Sequence, residues 1–154
     1  MFDEIQSRII NKNTLLLGIG NRARGDDGVG TYLVKRLQKK VTIPLIDAGD
    51  VPENSIRAIE ASGAEVVLIV DAADFGASPG EIALVDLDNI KNFGVSTHTA
   101  NLPVLFRIIP EKTRPHVLLV AVQPGHTSAG KGLSEAVRDS LDGLENLFYS
   151  LFKK

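Results

Sequence analysis

The chain has 154 residues, 44% of them hydrophobic and 23% charged, with 17 Lys plus Arg against 19 Asp plus Glu for a net charge of −2. That length and balance suit one folded domain and exclude disorder. The small net charge argues against nucleic-acid binding by bulk electrostatics, and the absence of cysteine removes thiol catalysis, thiolate metal sites and disulfides.

Residues 1–13 are polar and mixed in charge, with no apolar core of signal-peptide length, and read as an N-terminal extension of a single domain spanning 1–154. No stretch approaches the ~20 apolar residues of a membrane helix, so a soluble, cytoplasmic protein is expected, without a membrane partner. Thr14–Gly20 is the first apolar run of strand length, and Asp26 and Asp27 follow it in a glycine-containing loop. Val29, Tyr32, Leu33 and Leu37 are spaced by three and four and predict a helix. Ile43–Gly49 is a second strand, with Asp47 and Asp50 at its end. Ile56 and Ile59 mark a shorter helix stopped near Gly63.

Glu65–Ala72 is a third strand, ending on Asp71 with Asp74 just beyond. Glu81–Asp86 follows the turn Ser78-Pro79-Gly80 and reads as an edge strand, antiparallel pairing being open. Asn101–Ile109 predicts a helix ended by Pro110, and Val117–Gln123 a further strand. Leu133, Val137, Leu141, Leu144, Phe148 and Leu151 form one stripe to the C-terminus, with a small defect expected at Gly143, which costs about 1 kcal/mol against alanine. The runs around Leu15–Leu17, Val66–Val70 and Val117–Val122 are apolar without alternation, as in strands covered on both faces. The expected fold class is α/β, a three-layer αβα sandwich with a mostly parallel twisted sheet.

Ligands of open α/β sheets bind beyond the carboxyl ends of the strands, and here aspartates collect there. Each alone reads as a cap or turn residue. Asp71 differs, because a carboxylate ending a buried apolar run needs a cation or several donors. Together the strand ends predict a concentrated negative mouth able to bind cations. His116 opens a strand and reads as a surface residue. His126, in the loop after the last strand, could touch a ligand peripherally. His98 precedes an apolar helical segment, where the helix dipole favours the neutral ring; from spacing alone, ligand and structural roles both stay open. Two aspartates and a histidine would make an O,O,N set suited to zinc, nickel or manganese, with coordination positions left open.

Gly18-Ile19-Gly20-Asn21-Arg22-Ala23 also fits the dinucleotide fingerprint G-x-G-x-x-A, with Asp47 as the ribose-binding acid. Gly25, Gly28 and Gly30 interrupt the helix that this motif needs, and Asp26 and Asp27 would repel a pyrophosphate. An NAD-binding oxidoreductase is therefore the weaker alternative.

Three segments taken together resemble the hydrogenase maturation endopeptidases: Gly18–Gly30, which contains Gly25-Asp26-Asp27-Gly28; Ile46–Asn54; and Val70–Gly76, followed by Pro79-Gly80-Glu81 and Thr97-His98. The resemblance implies a protease that removes a C-terminal peptide from the large-subunit precursor of a [NiFe] hydrogenase after nickel insertion. It implies metal ligands at Asp27, Asp71 and His98, with Asp47 a nearby carboxylate and Asp27 or Asp47 activating the attacking water. Nickel would arrive on the substrate, with zinc or cadmium-like divalent ions as substitutes in a purified sample. Ala23 and Ala48 depart from the family's usual residues at positions that bear on substrate contacts. A non-catalytic nickel-binding chaperone is the other alternative, since it would need the same ligands but no water-activating carboxylate.

Overall fold

The structure is a computed structural model that describes residues 1–93 and 97–154, the side chains of Asn92, Thr97 and His98 lying outside that description. Among the described residues, β1 (Thr14–Gly18), β2 (Leu45–Asp47), β3 (Val66–Ala72), β4 (Ile82–Asp86) and β5 (His116–Val122) form one sheet in the order β2-β1-β3-β5-β4. β2, β1, β3 and β5 are parallel, with Gly18 beside both Asp47 and Val70, and Asp71 beside Ala121. β4 closes the edge antiparallel to β5. β1 and β3 are buried at every position, because helices cover both faces of the central strands.

Alternation along the strands divides the core in two. Leu16, Leu68 and Val120 pack with α1 (Phe2–Ile9), α2 (Val29–Leu37) and α6 (Glu135–Phe152). Leu15, Leu17, Ile69 and Leu119 face the other way, against α3 (Ile56–Ala61) and α5 (Leu102–Phe106). α4 (Thr97–Ala100) leads directly into α5. The three-layer α/β sandwich expected from the apolar runs is the observed architecture, and β4 takes the antiparallel edge position.

Several local expectations are corrected. The polar segment 1–13 contributes α1, whose Ile5 and Ile9 are buried in the first core; their spacing of four puts both on one face. β2 covers three residues rather than seven, since it lies at the sheet edge and Pro44 precedes it without a donor. The segment expected as one helix over 101–109 is helical only over Leu102–Phe106, and it continues in tight turns from Arg107 N–H to Val104 O and from Ile109 N–H to Phe106 O. α6 runs unbroken through Gly143, held on either side by buried Leu141 and Leu144.

A Cβ at Gly143 would meet nothing within 4 Å. Gly143→Ala should therefore raise stability by about 1 kcal/mol, a gain of about 2–4 °C in Tm, measured by thermal unfolding. Ile5→Ala should cost about 2–5 kcal/mol in a denaturant titration; a value near zero would return residues 1–13 to the status of an extension.

Candidate active site

β1 runs out to β2 on one side and the chain returns to β3 on the other, so the carboxyl ends of β1 and β3 flank the point where the connections diverge to opposite faces. The first turn of α2 lies directly on these ends. A Cβ at Gly30 would stand 2.1 Å from Val70 O and 2.6 Å from Ile19 O, and one at Gly18 would stand 2.2 Å from Gly30 O, so both positions require glycine. The loop after β1 is stitched to its neighbours on each side: Ile19 N–H donates to Val70 O at 3.0 Å and Gly20 N–H to Gly49 O at 2.7 Å.

Asp26 and Asp27 occupy the 3-10 turn Gly25–Gly28 and serve different ends. Asp26 is 0% exposed. Its Oδ1 accepts from Ser134 N–H at 2.7 Å; its Oδ2 accepts from Gly125 N–H at 2.7 Å, His126 N–H at 3.0 Å and the Ser134 hydroxyl at 2.7 Å. Burial pushes this carboxyl upward, but the hydrogen bonds from Ser134, His126 and Gly125 outweigh it and leave it below the usual carboxylate range. Asp26 is thus a structural acceptor that ties the β1 loop to the segment before α6. Asp27 is half-buried, and its Oδ2 accepts from Asn21 N–H at 2.9 Å, closing the loop over Asn21–Asp27.

The same bond bears on dinucleotide binding. The helix that follows opens only at Val29, and the Asn21 N–H that a pyrophosphate would need is engaged by a carboxylate.

Asp71 is 0% exposed near the end of β3. Alternation places it on the face of Val67 and Ile69, the one covered by α5. The turn carrying Asp27 packs against β3, so two of the expected ligands belong to adjoining elements at the divergence point. His98 sits in α4, one residue short of buried Thr99; its side chain lies outside the described residues, and so does its convergence with Asp27 and Asp71. Among the described residues alone, no three His, Asp or Glu side chains gather as a metal site.

Asp47 ends β2 exposed, its Oδ1 accepting from Gly49 N–H at 3.0 Å. It lines a cleft of about 290 Å³ with Gly20, Asn21, Ala23, Thr31 and Asp50. The Asp27-closed loop is thus one wall of the cleft that Asp47 borders.

The expected single acidic mouth is corrected in part. Asp26 points inward, and Asp74 is held below the usual range by the Gly76 N–H and the Gln123 amide, which donate to its Oδ1 at 3.0 Å each. Gln123, expected only as the end of a strand, is buried and organises the loop after β3, its Oε1 accepting from Phe75 N–H at 2.8 Å and Ala77 N–H at 3.2 Å. A polar residue ending an apolar strand, as Asp71 also does, was the available signal. His126 contacts the β1 loop, its Nδ1 buried over Gly25. His116 is exposed beside Asp86, at the opposite end of the sheet.

Asp26→Asn keeps the shape but turns an NH2 group toward at least one donor, so it should cost about 1.5–3 kcal/mol at neutral pH. Because the folded pKa lies below the ordinary carboxyl value of 3.8, the stabilisation is present above that pH and is lost as pH falls through the folded value. Urea titrations at neutral pH and at about pH 3 should therefore show the gap between wild type and Asp26→Asn closing in acid. A gap independent of pH would refute the assignment.

The sequence profile described as "Hydrogenase maturation protease" matches residues 29–150. The hydrogenase 3 maturation protease of Escherichia coli K12 is 34% identical over 131 residues, covering 83% of each chain. The crystal structure of the [NiFe] hydrogenase maturation protease HycI from Thermococcus kodakarensis superposes with a TM-score of 0.84 at 30% identity, covering 96% of this chain and 97% of that one. The solution structure of the endopeptidase HycI from E. coli gives 0.76 at 30% identity, covering 90% of each. With its sheet order, its glycine-dependent β1 loop and its strand-end aspartates, this chain belongs to the hydrogenase maturation protease family.

Proposed function

We propose that the protein removes the C-terminal tail of a nickel-loaded [NiFe] hydrogenase large-subunit precursor, and that it recognises the bound nickel through Asp27, Asp71 and His98. The observation that carries this reading is the meeting of the Asp27 turn with the end of β3, where Asp71 is fully buried. Two carboxylates and an imidazole are hard and borderline donors that suit nickel and leave coordination positions for ligands of the precursor. The metal is then cargo of the substrate and reports that the precursor is ready.

The chain has no cysteine, and its one G-x-S-x-G match, Gly76-Ala77-Ser78-Pro79-Gly80, is the exposed turn between β3 and the antiparallel strand β4 rather than a strand-to-helix elbow, so attack by water is the simpler route than an acyl-enzyme. A carboxylate takes one proton as the water oxygen bonds to the scissile carbonyl carbon. The tetrahedral oxyanion is steadied by backbone N–H groups or the metal, and the same proton passes to the departing amine as the C–N bond breaks. Asp27 is oriented for such work by the Asn21 N–H, and Asp47 stands in the open cleft where water has access.

The test is cleavage of the precursor with and without nickel, read by mass spectrometry. Nickel-loaded precursor should release its tail, and nickel-free precursor should resist. Asp27→Asn should lower turnover by about 10²–10⁴-fold, the range of a lost general base. Asp71→Ala should abolish cleavage while retaining cooperative unfolding, and His98→Ala should weaken precursor recognition. Zinc retained stoichiometrically after dialysis, together with cleavage of nickel-free precursor, would replace this reading with a metallopeptidase that carries its own metal. Tight nickel binding with no tail released would indicate a chaperone.

A further inference from the structure

A second cleft, of about 410 Å³, adjoins the first and shares Asp50 with it. One wall is α5 and the turn after it, which present Val104, Leu105 and Ile108; the other is the 3-10 turn Pro52–Ser55 after β2, with Asp50 and Glu53. Val104 is 64% exposed and Ile108 69%, the two most exposed large hydrophobic residues among those described. A spacing of four sets them side by side, while Leu102 and Phe106 of the same helix are anchored in the second core. The wall is also braced at its end: Arg114 donates through Nε at 3.0 Å and Nη2 at 2.9 Å to Ile109 O, and through Nη2 at 3.3 Å to Arg107 O. Among the described residues no lysine or arginine lines the groove, so Asp50 and Glu53 face no cation from its described walls.

We propose that this groove docks an extended segment of the substrate protein next to its cleavage point, one that presents an apolar side chain beside a lysine or arginine. The inference rests on the protease reading and assigns a recognition surface to it. Two features select that occupant. An apolar wall opposite an acidic rim matches a segment with an apolar group and a cation close together. Because Asp50 borders both clefts, a chain crossing the Asp47 cleft can continue into the groove. Because α5 follows α4 after a single residue, the groove wall is continuous in the chain with the helix that bears His98, so contacts at the tail and at the metal would fall on neighbouring stretches of one segment.

Binding and cleavage are measured separately. Calorimetry with the nickel-loaded large-subunit precursor from the same genome should show Kd rising about tenfold or more, about 1.4 kcal/mol, for Val104→Ser/Ile108→Ser. Glu53→Lys should weaken binding at low salt, with the difference shrinking as salt rises. Tyr149→Ser, a change at an exposed aromatic residue on α6, should leave Kd unchanged. All of these side chains are exposed, and thermal unfolding should confirm that the fold is retained. Unchanged affinity in the double variant, or a wild-type dimer that the double variant dissociates, would overturn the groove assignment while leaving tail release intact. Groove-dependent binding without tail release would instead overturn the protease reading and keep the groove.

Discussion

The inward-turned carboxylate of Asp26 joins two loops that the strand order alone would leave independent, one after β1 and one before α6. It accepts four hydrogen bonds from residues about a hundred positions later in the chain, and every one of its donors belongs to the segment 125–134. Adjacent residues of a 3-10 turn project about 120° apart, so Asp26 facing inward fixes Asp27 facing elsewhere. The pair of aspartates thus divides its work between tying two loops together and closing one of them. One is held by burial and donors; its neighbour, placed by that anchor, closes the loop that walls the open cleft. The close approach of Gly30 to Val70 completes the arrangement, because it brings this turn onto the strand ends.

How far the sequence reveals this differs from residue to residue. The central strands are legible because Leu15–Leu17, Val66–Val70 and Val117–Val122 leave no polar face for solvent, which only a doubly covered parallel sheet accommodates. α6 is legible from an uninterrupted stripe, and the same stripe explains why Gly143 leaves it unbroken. α1 is harder to see, since two isoleucines in a polar segment give no sustained period and its helicity depends on packing rather than propensity. The strand-end aspartates were visible as a set, but their division into anchors and candidate catalysts was not. That division depends on which loop N–H groups reach them, and the donors to Asp26 come from residues with no sequence pattern of their own. Gln123 escaped notice for the same reason.

The short β2 has a bearing on recognition as well as on the fold. With three residues at a sheet edge, it leaves Asp47 at its exposed end and Gly49 and Asp50 beyond it, and both clefts meet at Asp50. A longer strand covered by a helix would bury this ground. The architecture therefore keeps its rigid elements on one side of the divergence point and an accessible border on the other. Such a border suits a macromolecular substrate better than a small one, because it is a surface to be crossed rather than a pocket to be filled.

The division of the core also bears on how the chain is made. The face shared by Ile69, Ile59 and Phe106 uses nothing beyond β5, so it can be covered while the last helix is still being synthesised. The opposite face brings together Ile5 of α1 with Phe148 and Phe152 of α6, which is made only after all five strands. That face therefore has only α1 and α2 as cover until α6 has been made, and the anchor residue Ser134 also emerges after β5. A nascent chain would hold its β1 loop without the Asp26 anchor until Ser134 has been made, and the geometry around Asp27 would set only then.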